Sequence, residues 1–228
     1  MGLIIVIVFL GVGIAFAALY IIRNLVAPKK VSRVEQLLKQ NKPAAAVRLV
    51  KQLLTKDQRN PELHYMLGRA YQQEDKTELA LMEFKMVNQI GIFDGSIPEV
   101  TFRQQLAQLF IRYNQPDEAL KEYLLLIQKD SNNAEHYFQA GRLFDARNKG
   151  AKAVGYYRKA LELKPGHGLA HLQLGLLLYR AKKYNEARGF LDKALRYEPE
   201  DYEAYYFIGR TQKENRDYAA ALQSFEKS

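Results

Sequence analysis

Residues 168–201 read GLAHLQLGLLLYRAKKYNEARGFLDKALRYEPED, and this stretch decides the fold. Its first half carries Leu172, Leu174, Leu176, Leu177 and Leu178. Its second half carries Ala187, Phe190, Leu191, Ala194 and Leu195. Both sets recur at three- and four-residue steps, the period of an apolar helical face. Gly175 and Ala187 are small enough to let two such helices approach closely. Pro199 cannot continue a helix and disfavours helical geometry in the residue before it, so the second helix should end near Glu198. One helical pair cannot bury its apolar face alone, so it must stack on similar pairs.

Those pairs exist. Gly141, Gly175 and Gly209 are 34 residues apart, as are Pro165 and Pro199. Ala153, Ala187 and Ala221 share the spacing, and so do Tyr157, Leu191 and Phe225. One step back gives Ala107, followed by Phe110, Ala119 and Tyr123 at the same offsets. A further step reaches Gly68, Tyr71, Ala80 and Phe84 once five extra residues within 88–100 are allowed. These extra residues are apolar (Ile90, Ile92, Phe93, Ile97). They suit either a contact loop over a groove or packing on neighbouring helices. The units run 61–99, 100–133, 134–167, 168–201 and an incomplete 202–228. A degenerate first unit lies in 24–60, with a clear second helix from Pro43 to Thr55. The last unit stops partway through its second helix, which suggests that the protein continues beyond Ser228.

This pattern of a large residue, Leu-Gly, an aromatic, Ala, an aromatic, Ala and Pro over 34 residues resembles the tetratricopeptide repeat family. His171, Leu174-Gly175, Leu178, Ala187, Leu191, Ala194 and Pro199 carry it in the best unit. There is no Trp, and Gln212 replaces the first aromatic of the last unit. The resemblance implies an all-α, right-handed solenoid of helical hairpins whose first helices line a groove that binds proteins. Groove residues would occupy unit positions two, five, nine and twelve, which share a helical stripe. They include Glu62, Tyr65 and Arg69, then Gln104 and Gln108, then Glu135, Phe138 and Arg142. Leu172 and Leu176 follow in the fifth unit, and Tyr206 and Arg210 in the sixth. The recurrence of Glu, aromatic and Arg reads two ways. Aromatic platforms and Arg forks suit an extended or helical peptide with acidic groups. Alternatively the Glu complements a helix dipole and the Arg pairs with a neighbour. The Lys and Asn set of the chaperone-binding subclass is absent from the stripe, so chaperone docking is not implied.

The N-terminus poses a separate question. Leu3 to Ile22 is an uncharged run of 20 residues, 14 of them Leu, Ile, Val or Phe. As a helix it matches a hydrocarbon core of about 30 Å. Each of those side chains contributes roughly −0.3 to −0.6 kcal/mol to insertion near the bilayer centre. A cleaved signal peptide would need a basic start and a shorter apolar region, although Ala15-Phe16-Ala17 resembles a cleavage site. Residues 1–23 therefore read as a transmembrane anchor. Gly11/Ala15 and Gly13/Ala17 have the spacing by which two such helices pack, so a second copy is one candidate partner.

Charge orients the anchor. The chain carries +9 overall, but residues 23–60 hold ten Lys or Arg against two acidic residues. The surplus is thus a local juxtamembrane feature rather than a nucleic-acid footprint. Arg23, Lys29, Lys30 and Arg33 would face anionic lipid at about 1 kcal/mol each, or simply record topology. Either way the repeats are expected on the cytoplasmic side of a bacterial inner membrane. The layout of one span followed by repeats resembles the family of lipopolysaccharide assembly protein B, without that family's paired-Cys metal domain. The resulting expectation is a scaffold or adaptor holding partner proteins at the membrane. The alternative is a structural part of an envelope machine (flagellar motor, pilus or secretion system) with its repeats in the periplasm. A catalytic domain beyond Ser228 is a third reading.

Chemistry is sparse. The chain has no Cys, which removes disulfides, thiolate metal sites and Cys nucleophiles. His167 and His171 are four apart, but one falls in a turn after Pro165 and the other at a packing position. No ordered carboxylates join them as metal ligands. No nucleophile motif or phosphate-binding loop is present. The expectation is therefore no catalytic residue, no metal and no cofactor.

Overall fold

The computed structural model describes residues 27–91 and 95–228. Every regular element among them is an α-helix. In chain order these are α1 (Ala27–Lys39), α2 (Pro43–Leu54), α3 (Pro61–Gln73), α4 (Thr77–Ile90), α5 (Glu99–Arg112) and α6 (Pro116–Lys129). Then follow α7 (Ala134–Ala146), α8 (Gly150–Leu163), α9 (Gly168–Arg180), α10 (Tyr184–Tyr197), α11 (Tyr202–Glu214) and α12 (Tyr218–Phe225). Odd-numbered helices open each unit and even-numbered helices close it. The apolar run Leu3–Ile22 and Arg23 lie outside the described residues. No described helix is long and apolar enough to cross a membrane.

One turn joins the two helices of every unit. Residue fifteen is left-handed in all six units: Asn41, Asp75, Asn114, Asn148, Lys182 and Arg216 have φ of 53°, 56°, 53°, 57°, 60° and 65°. The next residue's N–H reaches back five residues to a helix carbonyl. Lys42 bonds Leu37, Lys76 bonds Tyr71, and Lys149 bonds Phe144, each at 2.9 Å. This is the Schellman closure, which satisfies carbonyls that a helix end leaves open. Asn and Asp tolerate left-handed backbone, whereas Lys182 and Arg216 adopt it without that help. Side chains cap several opening helices. Asn60 Oδ1 accepts from the Leu63 N–H at 3.1 Å, and Asp201 Oδ1 from the Ala204 N–H at 3.0 Å.

The described residues form two bodies, divided between Phe102 and Arg103. In the first, α1 to α4 pack in succession and α3 also meets α1. Its core holds Val34, Val50, Leu67, Phe84 and Phe102, all at 2% exposure or less. Tyr65, Phe84 and Phe102 form an aromatic triangle with centroids 5.5–6.0 Å apart. The helix α4 ends on left-handed Gly91, φ 70°. Of the apolar insert, Ile97 is buried and Ile90 half-buried, while Ile92 and Phe93 lie outside the described residues.

In the second body α6 to α12 pack in succession around Leu106, Leu126, Tyr157, Leu174 and Leu191. The repeating glycine is required here. A methyl group at Gly141 would lie 2.7 Å from two ring carbons of Tyr157, and one at Gly209 would lie 2.7 Å from Phe225. The same position in the third unit is Ala107, fully buried. A second slot changes chemistry along the chain. Unit positions four and twenty-three face each other across the hairpin as His64 and Glu83 at 2.6 Å in the first body. In the second body they are Arg103 and Glu122 at 2.7 Å, then Tyr137 and Tyr156 with ring centroids 6.2 Å apart. His171 and Phe190 continue the series at 5.9 Å. The hairpin needs a filled contact there, and either an ion pair or two rings supplies it.

Candidate functional site

The first-helix stripe can be followed residue by residue. In the first body Tyr65 is 5% exposed, with its ring in the aromatic triangle. Burial raises its pKa, against the pull of the Arg69 cation. The Arg69 guanidinium lies 5.6 Å above that ring and donates to Glu35 at 2.7 and 3.5 Å. Glu35 occupies position nine of the first unit and Arg69 position nine of the second. This Arg is therefore neutralised by its own chain. Glu62 is half-buried. In α1, Arg33 is exposed and donates to Gln36 at 3.1 Å. The backbone of Lys29 and Lys30 is helical.

The second body differs. Position nine holds Gln108, Arg142, Leu176 and Arg210 in its four units. The residue that could neutralise Arg142 from the preceding unit is Gln108, and for Arg210 it is Leu176. Arg142 lies 5.9 Å over Phe138 and makes one long hydrogen bond, 3.4 Å, to Gln139. Arg210 lies between two rings, 5.7 Å from Tyr206 and 5.4 Å from Tyr179, and donates to the Tyr206 hydroxyl at 3.0 Å. Neither guanidinium meets a carboxylate among the described residues. An aromatic face attracts a cation without cancelling its charge, and it holds the planar group in place. The result is two positioned, unneutralised forks on one stripe.

The other stripe residues divide by depth. Phe138 is 3% exposed and packs against His167 at 4.6 Å between centroids, so its part is to hold Arg142 rather than to meet a ligand. Leu172 and Leu176 are buried in a cluster with Leu191, Ala194, Ala204 and Ile208. They pack the fifth unit onto the sixth rather than presenting a contact surface. Tyr206 is 41% exposed. Gln104 is half-buried and spent on His136 at 2.9 Å, and Gln108 is exposed. Glu135 accepts from Gln139 at 2.6 Å and faces His167 Nε2 at 3.3 Å. The His167 hydrogen bond holds the Glu135 pKa below its ordinary value, against desolvation.

The His pair has structural work. The His167 ring nitrogen accepts from the Ala170 N–H at 3.4 Å and so caps α9. His171 lies parallel to Tyr197 at 5.8 Å, and its Nε2 donates to the Pro165 carbonyl at 2.8 Å. Burial lowers its pKa. Arg180 Nη2 donates to both carboxylate oxygens of Asp145, at 2.7 and 2.6 Å. Asp145 holds position twelve of the fourth unit, and its partner comes from position thirteen of the next unit.

Stacked helical hairpins closed by the same left-handed turn at position fifteen, with a recurring side-chain stripe along the first helices, define a protein-interaction repeat. A model described as tetratricopeptide repeat matches residues 37–88 and 146–206. Others with that description match residues 105–168 and 202–228. The chain belongs to the tetratricopeptide repeat family, as an all-helical solenoid of that class. Among solved structures it is similar to YrrB, described as a TPR protein with an unusual peptide-binding site. The identity is 20% and the TM-score 0.68, over 77% of this chain and 88% of that one. MamA from Desulfovibrio magneticus RS-1 is 19% identical with a TM-score of 0.61, over 77% and 96%. The C-terminal part of a TPR repeat-containing protein from Cytophaga hutchinsonii is 20% identical with a TM-score of 0.67, over 86% and 77%. At these identities the likeness is one of fold. No curated protein matches the chain by sequence.

Proposed function

We propose that this chain is a membrane-anchored scaffold whose first-helix stripe in residues 103–228 binds an acidic segment of a partner protein. One observation carries the reading. Arg142 and Arg210 are held over aromatic faces without a carboxylate, while Arg69, at the same unit position, is consumed by Glu35. A partner carboxylate would complete for those two what Glu35 completes for Arg69. The peptide-binding character of YrrB supports this class of function. The apolar run Leu3–Ile22 supplies the anchor, and the ten basic residues of 23–60 favour a cytoplasmic face for the repeats.

Partner capture by the full chain tests the site. Arg142→Glu with Arg210→Glu should weaken capture by about tenfold or more, since each change replaces an attraction with a repulsion. Arg69→Gln should leave capture intact. Unchanged capture by the double variant removes these residues from the site. A topology reporter fused after Ser228 tests the side of the membrane, and a periplasmic signal would favour the envelope-machine reading.

A further inference from the structure

A second feature lies away from the stripe. The helices α8 and α10, the turn between α8 and α9, and His171 of α9 line an open surface cavity of about 480 Å³. This is within the size range of ligand-binding clefts. Its apolar wall is Phe190, with Tyr197 stacked on His171 at 8° between ring planes. Tyr197 is 52% exposed. Three cations, Arg158, Lys193 and Arg196, line it against a single acid, Glu162. Glu162 is already engaged by Lys159 at 2.8 Å. Lys193 sits 5.3 Å over the Phe190 ring. None of the three cations meets a carboxylate among the described residues.

The repeat does not demand this arrangement. One unit earlier, the positions of Arg158, Arg196 and Tyr197 are Leu124, Glu162 and Leu163. Leu124 and Leu163 are half-buried there. Three surface positions thus depart from the preceding unit together, and all three departures line one cavity. Unpaired Arg and an exposed aromatic are the side chains that dominate protein docking sites.

We propose that this cavity is a second docking site, separate from the first-helix stripe, for a partner segment bearing carboxylates beside an aromatic side chain. The aromatic would rest on Tyr197 and Phe190. The carboxylates would take Arg158 and Arg196 in fork geometry and Lys193 as a point charge. Charge complementarity selects this occupant. The site is open and its cations are exposed, so a lone small anion would gain little over its hydration. A chain segment crossing the cavity adds apolar burial to the ion pairs. With the stripe also occupied, the protein would hold two acidic segments at once.

The test is a selection from a random peptide library displayed on phage, with the full chain in detergent as bait. Selected peptides are then measured by fluorescence anisotropy. The expected result is a class enriched in Asp or Glu next to an aromatic. Its affinity should fall about tenfold or more with Arg158→Glu/Arg196→Glu, equivalent to about 1.4 kcal/mol, and also fall with Tyr197→Ala. The same peptides should bind Arg142→Glu/Arg210→Glu normally. All these positions except Arg210 are exposed, and matching thermal melts check that each variant folds. Loss confined to the Arg142/Arg210 variant, or selected peptides without acidic enrichment, overturns the second site. So does binding of ATP or inorganic phosphate that depends on Arg158 and Arg196 when no peptide does.

Discussion

Gly141→Ala offers a measurement of the hairpin's closest approach. A methyl group there would lie 2.7 Å from two ring carbons of Tyr157, well inside the ~3.5 Å of ordinary contact. Tyr157 is fully buried, so its ring cannot swing out. Overpacking of this kind costs about 1–3 kcal/mol. Against that, Ala is about 1 kcal/mol better than Gly inside a helix. The chain provides its own reference. Gly155 and Gly189 also lie inside helices, and nothing is within 4 Å of a methyl group at either. Gly155→Ala should therefore gain close to the full propensity term, and Gly141→Ala should fall about 1–3 kcal/mol below it. In a domain of this size that separates their melting temperatures by roughly 2–4 °C per kcal/mol. Far-UV circular dichroism melts of the full chain in detergent read the difference. Gly141→Ala should still fold, because the third unit is built with Ala107 opposite Tyr123. A Gly141→Ala melt matching Gly155→Ala would refute the close-approach argument.

Three further outcomes follow from the packing. Arg103→Met removes the guanidinium from the buried Glu122 carboxylate and should cost about 3–5 kcal/mol in melts. Replacing both residues with Tyr, the pair found at 137 and 156, should cost less than that single change. Burial lowers the pKa of both His136 and His171 below the ordinary 6.5. The unfolded chain then binds protons that the folded chain refuses, so stability is flat above that value and falls as pH drops below it. The melting temperature should be lower near pH 5.5 than near pH 7.5, and His171→Phe should narrow the gap. Lys182→Asn and Arg216→Asn place a tolerant residue at φ 60° and 65° and should each add about 0.5–1 kcal/mol. Asn148→Lys should do the reverse, and a destabilised Lys182→Asn would count against strain at that turn.

The periodic side chains made the fold legible. Gly, Ala and aromatic positions at a fixed 34-residue spacing state which helices must touch, because the close approach admits few residues. The turn was less legible. A left-handed residue recurs at position fifteen, yet Lys182 and Arg216 carry no sign of it. The signal was present in Asn41, Asp75, Asn114 and Asn148, which share that offset. The stripe was legible in angle but not in depth. Helical spacing put Tyr65, Phe138, Leu172 and Leu176 on one line with Tyr206. How deep each lies depends on the bulk of neighbouring helices. Tyr65 sinks because Phe84 and Phe102 receive it.

The same distinction decides which Arg is available to a partner. Position nine along the units reads Glu35, Arg69, Gln108, Arg142, Leu176, Arg210. Sequence alone makes the three Arg equivalent, since each follows an aromatic by four residues. The 34-residue period adds the missing comparison: each Arg must be read against position nine of the preceding unit. Glu35 neutralises Arg69, while Gln108 and Leu176 carry no charge to offer. Transplanting that logic gives a direct control. In Gln108→Glu, an acid stands where Glu35 stands relative to Arg69, and Arg142 should become engaged within its own chain. Partner capture through Arg142 should weaken by about the amount that Arg142→Gln costs, without removing any cation. Capture that survives Gln108→Glu but fails with Arg142→Gln would show that the side chain matters for its shape rather than its free charge.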